Sequence, residues 1–160
     1  MLSDKMSLLR PEQYELISKL FPLNTRAAVP LDLMDSFIPG VLDFGVRHGA
    51  RTVALINWGD AECELSVPDS AGMLAFEFWS RRFCGLTGAD IRETVEPHGC
   101  RVYFLTRPCA REVVVGEDAS VVMDVDVTYS GESVTFVREK PDETVYVAVM
   151  RGGDWQIEER

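Results

Sequence analysis

The sequence predicts a mainly β protein, an antiparallel β-sandwich with Greek-key-like connections, preceded by one α-helix and an apolar wrapping segment. Three observations carry this expectation. From Arg51 onward, short strand-like runs recur without helical runs between them, each closed by a cluster of Gly, Asp, Asn or Pro. The run Met-Asp-Val-Asp-Val-Thr at 123–128 alternates apolar and polar, the period of a strand with one face inward. Only one segment, near the start, has the apolar spacing of a helix.

That segment is 11–21. Pro11 suits the first helical turn, where its missing N–H is no loss, and Glu12 favours the positive end of the helix dipole. Leu16, Ile17, Leu20 and Phe21 form one stripe, which predicts a face buried against something, and Pro22 stops the helix. Residues 23–49 carry few regular signals but many large apolar side chains, among them Val29, Leu31, Leu33, Met34, Phe37 and Ile38, with Pro30 and Pro39 as breaks. A connection this apolar is not a flexible linker, which is polar or Gly/Ser-rich. It is expected to wrap a surface, and to expose an apolar patch wherever that surface is missing. Strands are predicted at 51–57, 62–67, 73–79, 91–96, 100–106, 112–115, 120–128, 132–138, 143–149 and 155–158. Turns are expected at Gly59-Asp60, Pro68-Asp69, Gly85 and Gly88, Pro97-His98-Gly99, Ser130-Gly131, Pro141-Asp142 and Gly152-Gly153.

Composition narrows the function. A chain of 160 residues with 46% hydrophobic and 26% charged side chains suits one globular domain, with at most a short appendage, and not wholesale disorder. The net charge of −10 disfavours nucleic acid, whose phosphates are held by Lys and Arg, and disfavours an anionic membrane surface. Neutral sugars remain compatible. No apolar run is long enough to span a bilayer, and the opening MLSDKMSLLRPEQ lacks the basic-then-apolar pattern of a signal peptide. A cytoplasmic setting is the economical expectation, and so abrupt an entry into folded sequence fits a fragment. Cys63, Cys84, Cys100 and Cys109 are widely spaced, and only His48 and His98 could join them, so no metal site or cofactor is expected. Cys63 and Cys100 read as small buried hydrophobes within strands; disulfides stay open.

Few constellations suggest chemistry. Asp124 and Asp126 fall on one strand face, about 6.5–7 Å apart, a spacing open to a carboxylate pair but more in keeping with a solvated face. Trp58, Trp79 and Trp155, with Phe76, Phe78, Phe83 and Tyr103, include rings that could stack on a sugar or seal a domain interface. Arg81-Arg82 after Trp79 makes a small basic spot. His98 is expected to hold a turn by hydrogen bonds, and His48 to lie in a loop. Phosphate loops, nucleophile elbows and zinc-protease motifs are all missing from the sequence, so no catalytic residue is expected.

Several phrases in one order resemble the end of melibiase-type α-galactosidases, glycoside hydrolases with a TIM-barrel catalytic domain. Leu2-Ser3-Asp4, Leu8-Leu9 and the helix resemble the last barrel strand and the helix behind it. Ala27-Ala28-Val29-Pro30-Leu31-Asp32-Leu33 resembles the wrap leading away from that helix. Val53-Ala54-Leu55-Ile56-Asn57-Trp58 resembles the first sandwich strand, Phe76-Glu77-Phe78-Trp79 a later aromatic phrase with Glu where Asp is usual, and Val95-Glu96-Pro97-His98-Gly99-Cys100-Arg101 the closing pair, with Cys100 where a small polar residue is usual. The resemblance covers about 2–107 and implies a parent enzyme that hydrolyses α-galactosides with retention through two carboxylates. Nothing here matches the motifs of those carboxylates.

The resulting expectation has two parts: 1–46, a helix and wrapping segment left from a barrel end, and 47–160, a non-catalytic accessory sandwich. Its partner would be the catalytic TIM barrel of the parent or a separate protein. The alternatives are a free-standing carbohydrate-binding module and an interaction subunit of a carbohydrate-active enzyme. Trp58, Trp79 and Arg81 are the candidates for contact with carbohydrate or a neighbouring domain. The apolar N-terminal segment is a candidate for homo-oligomer contacts.

Overall fold

The computed structural model describes residues 9–20, 27–138 and 141–160. Among these residues one helix, α1 (Pro11–Ser18), precedes thirteen strands: β1 (Val29–Pro30), β2 (Val41–Arg47), β3 (Ala50–Ile56), β4 (Cys63–Val67), β5 (Leu74–Glu77), β6 (Arg82–Leu86), β7 (Ile91–Val95), β8 (Cys100–Thr106), β9 (Glu112–Glu117), β10 (Asp126–Ser130), β11 (Ser133–Val137), β12 (Val145–Arg151) and β13 (Asp154–Glu159). Every strand pairing among the described residues is antiparallel. The predicted mainly β sandwich is what the chain forms.

The centre is a six-stranded sheet in the order β1-β2-β3-β8-β5-β6. Its two faces carry different cores. Ala54, Phe76, Val102 and Phe104 pack with Val113, Val115, Val147 and Val149 of the three-stranded sheet β13-β12-β9. The alternate residues Val53, Leu55, Ala75, Tyr103 and Leu105 pack on Val67 and Val95 of the β4–β7 pair. Because both faces are covered, β3, β5 and β8 read as nearly continuous apolar runs, whereas β4 and β7, with one face in water, alternate. Each fully buried Leu, Val or Phe contributes about 1.5–3 kcal/mol, so this doubly covered sheet is the stable heart of the molecule.

Turn chemistry follows the sequence closely. His48 (φ 48°) and Gly49 (φ 87°) join β2 to β3, and Gly152 (φ 62°) and Gly153 (φ 97°) join β12 to β13. Two left-handed residues in a two-residue loop match the twist of the flanking strands. The β10–β11 hairpin closes at Gly131, as the Ser130-Gly131 pair predicts.

Five expectations need correction. Strand β2 lies inside what reads as an irregular wrap, and it runs beside β3 from Val41 to Arg47, across position 46. Strand β6 contains Gly85, which reads as a turn. In each, the register slips beside a left-handed glycine, Gly45 (φ 79°) or Gly85 (φ 78°), so the glycine marks a bulge within a strand and not its end. The predicted strand 120–128 forms only from Asp126 onward. Asp124 does not lie on a solvated face: it is buried, its N–H donates to Glu117 Oε1 at 2.7 Å, and its carboxylate pairs with Arg47. Asp126 alone is exposed, 3.0 Å from His48. Finally, the helix ends at Ser18, and no residue in it is buried: Leu16 is 53% exposed and Leu20, beyond the last turn, 44%. Phe21 and Pro22 lie outside the described residues, as do Leu2-Ser3-Asp4 and Leu8.

Candidate functional site

The most distinctive surface is the loop between β1 and β2. Its base is clamped by one carboxylate. Asp32 Oδ2 accepts the Gly40 N–H at 2.8 Å and Oδ1 accepts the Val41 N–H at 3.2 Å, while the Asp32 carbonyl accepts from Asp35 and Ser36 at 3.0 Å. This is what a short polar side chain favours in a turn, an alternative to strand hydrogen bonds. Gly40 sits so close to β3 that a Cβ there would lie 2.8 Å from the Ile56 carbonyl oxygen. The Trp58 indole N–H adds a second fastening, donating to the Pro39 carbonyl at 2.8 Å.

This clamped strap holds its apolar side chains outward. Phe37 is fully exposed, Met34 94%, Leu33 58% and Ile38 52%, and Trp58 beside them 53%. Between the strap and β4 runs a groove of about 600 Å³ lined by Phe37, Ile38, Trp58 and Leu65, with Asp35 and Glu64 among its polar residues. An isolated exposed Leu needs no explanation, but four large apolar residues within six positions, on a fastened loop, form a contiguous patch.

The three candidates from sequence do not converge; they line different cavities. Trp58 belongs to the strap groove. Trp79 packs edge-on against Phe78 at 4.9 Å and lines an apolar cavity of about 180 Å³ with Leu20, Phe44, Ile56, Cys100 and Val121. Its neighbours there are apolar, the setting of a packed ring. Arg81, at φ 54° in the turn between β5 and β6, pairs with Asp118 at 3.5 Å and lines a third cavity with Lys19 and Glu143. His98, also left-handed at φ 55°, holds its turn by a 2.9 Å contact with Asp60. All four cysteines are free thiols; Cys63 and Cys100 are half-buried, and burial pushes the Cys100 thiol up. Among the described residues no group of three His, Cys, Asp or Glu side chains could hold a metal ion.

Two of the buried acids, Glu77 and Glu117, were given no role in the sequence reading. Glu77 has no exposed surface to speak of; its oxygens accept the N–H groups of Trp79 (3.3 Å), Ser80 (2.7 Å) and Val102 (3.2 Å), which fixes the β5–β6 turn. Glu117 is wholly buried, with Oε1 on the Asp124 N–H and Oε2 without a partner among the described residues. Burial first, and then the adjacent Glu143, push the Glu117 carboxyl up to about 10. An acid closed to solvent has no access to an external substrate, so this pair belongs to the interior. The signal for either acid would be a carboxylate in an otherwise apolar strand, as in Leu-Ala-Phe-Glu and Val-Val-Val-Gly-Glu. Compared with models of known families and with curated proteins, the chain matches none.

Proposed function

We propose that this chain is a non-catalytic β-sandwich accessory module that docks on a larger domain through its apolar strap, as the terminal sandwich of a melibiase-type α-galactosidase would on its barrel. The observation that carries this reading is the exposure of Leu33, Met34, Phe37 and Ile38 on a loop clamped at its base by Asp32 and Trp58. A loop free to collapse would turn such side chains inward, since each gains about 1.5–3 kcal/mol on burial. The clamp holds them out, pre-organised for a partner surface. The α-galactosidase identity of that partner rests on the ordered phrases from Leu2 to Arg101 alone, and the strap begins within one of them, Ala27-Ala28-Val29-Pro30-Leu31-Asp32-Leu33.

The test is sedimentation velocity of the chain beside a Met34→Ser/Phe37→Ser variant, together with assay of the pure chain on a chromogenic α-galactoside. The expected results are concentration-dependent self-association that the double substitution abolishes, and no hydrolysis. A chain that stays monomeric at high concentration, as soluble as the variant, would sink the docking reading; measurable hydrolysis would sink the non-catalytic one.

A further inference from the structure

Two stretches of chain wall the strap groove: 32–41, and 56–66 from the end of β3 into β4. Together they hold five carboxylates, Asp32, Asp35, Asp60, Glu62 and Glu64, and no Lys, Arg or His. Asp32 is met by the Gly40 and Val41 N–H groups and, among the described residues, by no cation. Asp60 lies 2.9 Å from His98, and Glu64 is 3.3 Å from Arg92 of β7. Both of those contacts are exposed, where an ion pair contributes little. Asp35 and Glu62 are exposed too, and neither carboxylate has a partner among the described residues. Asp35 lines the groove beside Phe37, and Glu62 lies between Gly59 and Cys63, which also line it. The groove thus joins an apolar floor to an acidic rim.

An apolar floor gains from burial against any apolar surface, so it supplies affinity and little choice of partner. The rim supplies the choice. A second copy of the chain, seated by the symmetric contact usual for dimers, would set one acidic rim against the other. The net charge of −10 adds to that repulsion, and an anionic membrane is repelled in the same way. A neutral surface would cover Asp35 without offering it a cation, and an uncompensated carboxylate resists leaving water. Lys and Arg side chains answer both needs, since their stems lie along apolar surface while the charged heads reach carboxylates.

On the basis of strap docking as proposed above, we infer that the partner covering this groove is a protein segment with apolar side chains flanked by Lys or Arg. Its apolar side chains pack against Phe37, Ile38, Trp58 and Leu65, and its cations meet Asp35 and Glu62. The bonds made by Asp32 and by the Trp58 indole fix the strap before the partner arrives, so little ordering is lost on binding. Charge steers the encounter and is screened by salt, whereas apolar contact is not. The two associations open to this surface are therefore expected to respond oppositely to salt. Binding of the basic partner weakens, and self-association of the chain alone strengthens.

The experiment is an NMR titration of the whole chain with three blocked peptides that share the core Leu-Phe-Leu, flanked by two Lys, two Ser or two Glu. The Trp58 indole N–H, bonded to the Pro39 carbonyl, is the reporter. At about 50 mM salt the Lys-flanked peptide is expected to bind about tenfold more tightly than the Glu-flanked one, with the preference nearly gone at about 1 M. Asp35→Asn/Glu62→Gln, on two exposed side chains, is expected to draw the three affinities together with melting temperature unchanged. Phe37→Ser is expected to weaken all three. Equal affinities that Phe37→Ser still lowers would overturn the basic partner and leave strap docking standing. No binding by any peptide, with a chain monomeric at every salt concentration, would overturn both. Self-association tighter at low salt than binding of the Lys-flanked peptide overturns the inference in favour of a second copy. Capture of the chain by phosphatidylserine vesicles overturns it in favour of a membrane.

Discussion

The ring of Phe76 lies directly over Gly116, so that a Cβ at position 116 would come within 2.4 Å of the Phe76 Cδ1 atom. The same ring meets Tyr146 at 4.5 Å, and Tyr146 is the cross-strand neighbour of Gly116 beside a register slip in the β9–β12 pairing. Three strands from two sheets thus meet around one aromatic ring, and the glycine makes room for it. Gly116→Ala is expected to destabilise the chain by about 1–3 kcal/mol, the usual cost of overpacking a rigid core. Urea unfolding would show a lower midpoint with unchanged slope. Phe76→Leu in the same background should recover part of the loss.

That contact also shows how far the sequence could be read. The strands of the central sheet were legible because Val53 to Ile56 and Val102 to Leu105 are apolar on both faces and lie between turn residues. Strand β2 was not legible, because Phe44 is the bulged residue at the slip between Asp43 and Gly45, and that extra residue breaks the alternation a strand should show. Asp124 was misread for a related reason: Met-Asp-Val-Asp-Val-Thr alternates cleanly, but Arg47, distant in sequence, pairs with its carboxylate and Glu117 accepts its backbone N–H. The strap was legible as apolar sequence, while its clamp was not, since nothing local announces that Asp32 reaches Gly40. The Arg51–Asp43 pairing at 3.0 Å is equally invisible before the strands are aligned.

The buried Glu117 makes stability depend on pH. Its carboxyl is raised in the fold from the ordinary value of 4.5 to about 10, so the neutral form is favoured there. The stabilisation is full below about 4.5 and is lost as pH rises toward 10, because unfolding then releases a proton that the fold retains. Glu117→Gln keeps an acceptor for the Asp124 N–H and cannot ionise. It is expected to flatten the decline and to exceed the wild-type chain by at least about 1 kcal/mol at pH 9. Chemical unfolding at pH 5, 7 and 9 checks this; parallel pH profiles for the two proteins would contradict it.

Asp32 is expected to matter locally. Asp32→Ala strips the acceptors from the Gly40 and Val41 N–H groups, each worth about 1.5–3 kcal/mol as a bond to a charged partner. The strap is then free to fold its apolar side chains inward. Amide exchange at Gly40 and Val41 should quicken, while amides of β12 keep their protection. If strap exposure is what drives association, the same variant should self-associate less than the wild-type chain.

Trimming from the N-terminus separates the strap from the sheet beneath it. A chain starting at Ala27 loses α1, none of whose residues is buried, together with the bond from the Val121 N–H to the Lys19 carbonyl. A chain starting at His48 loses β1 and β2. Removing β2 takes away buried Val41, the Asp43 partner of Arg51, the Arg47 partner of buried Asp124, and every hydrogen bond along one edge of β3. An unpaired edge on a strand this apolar is a template for aggregation, and the buried Asp124 would be left without its cation, a loss of about 3–5 kcal/mol in comparable sites. Circular dichroism and sedimentation of the two truncations are the measurement. The chain from Ala27 is expected to keep the β spectrum and unfold cooperatively, whereas the chain from His48 is expected to aggregate; a soluble, cooperative chain from His48 would show that β2 is an appendage to the sheet and not part of it.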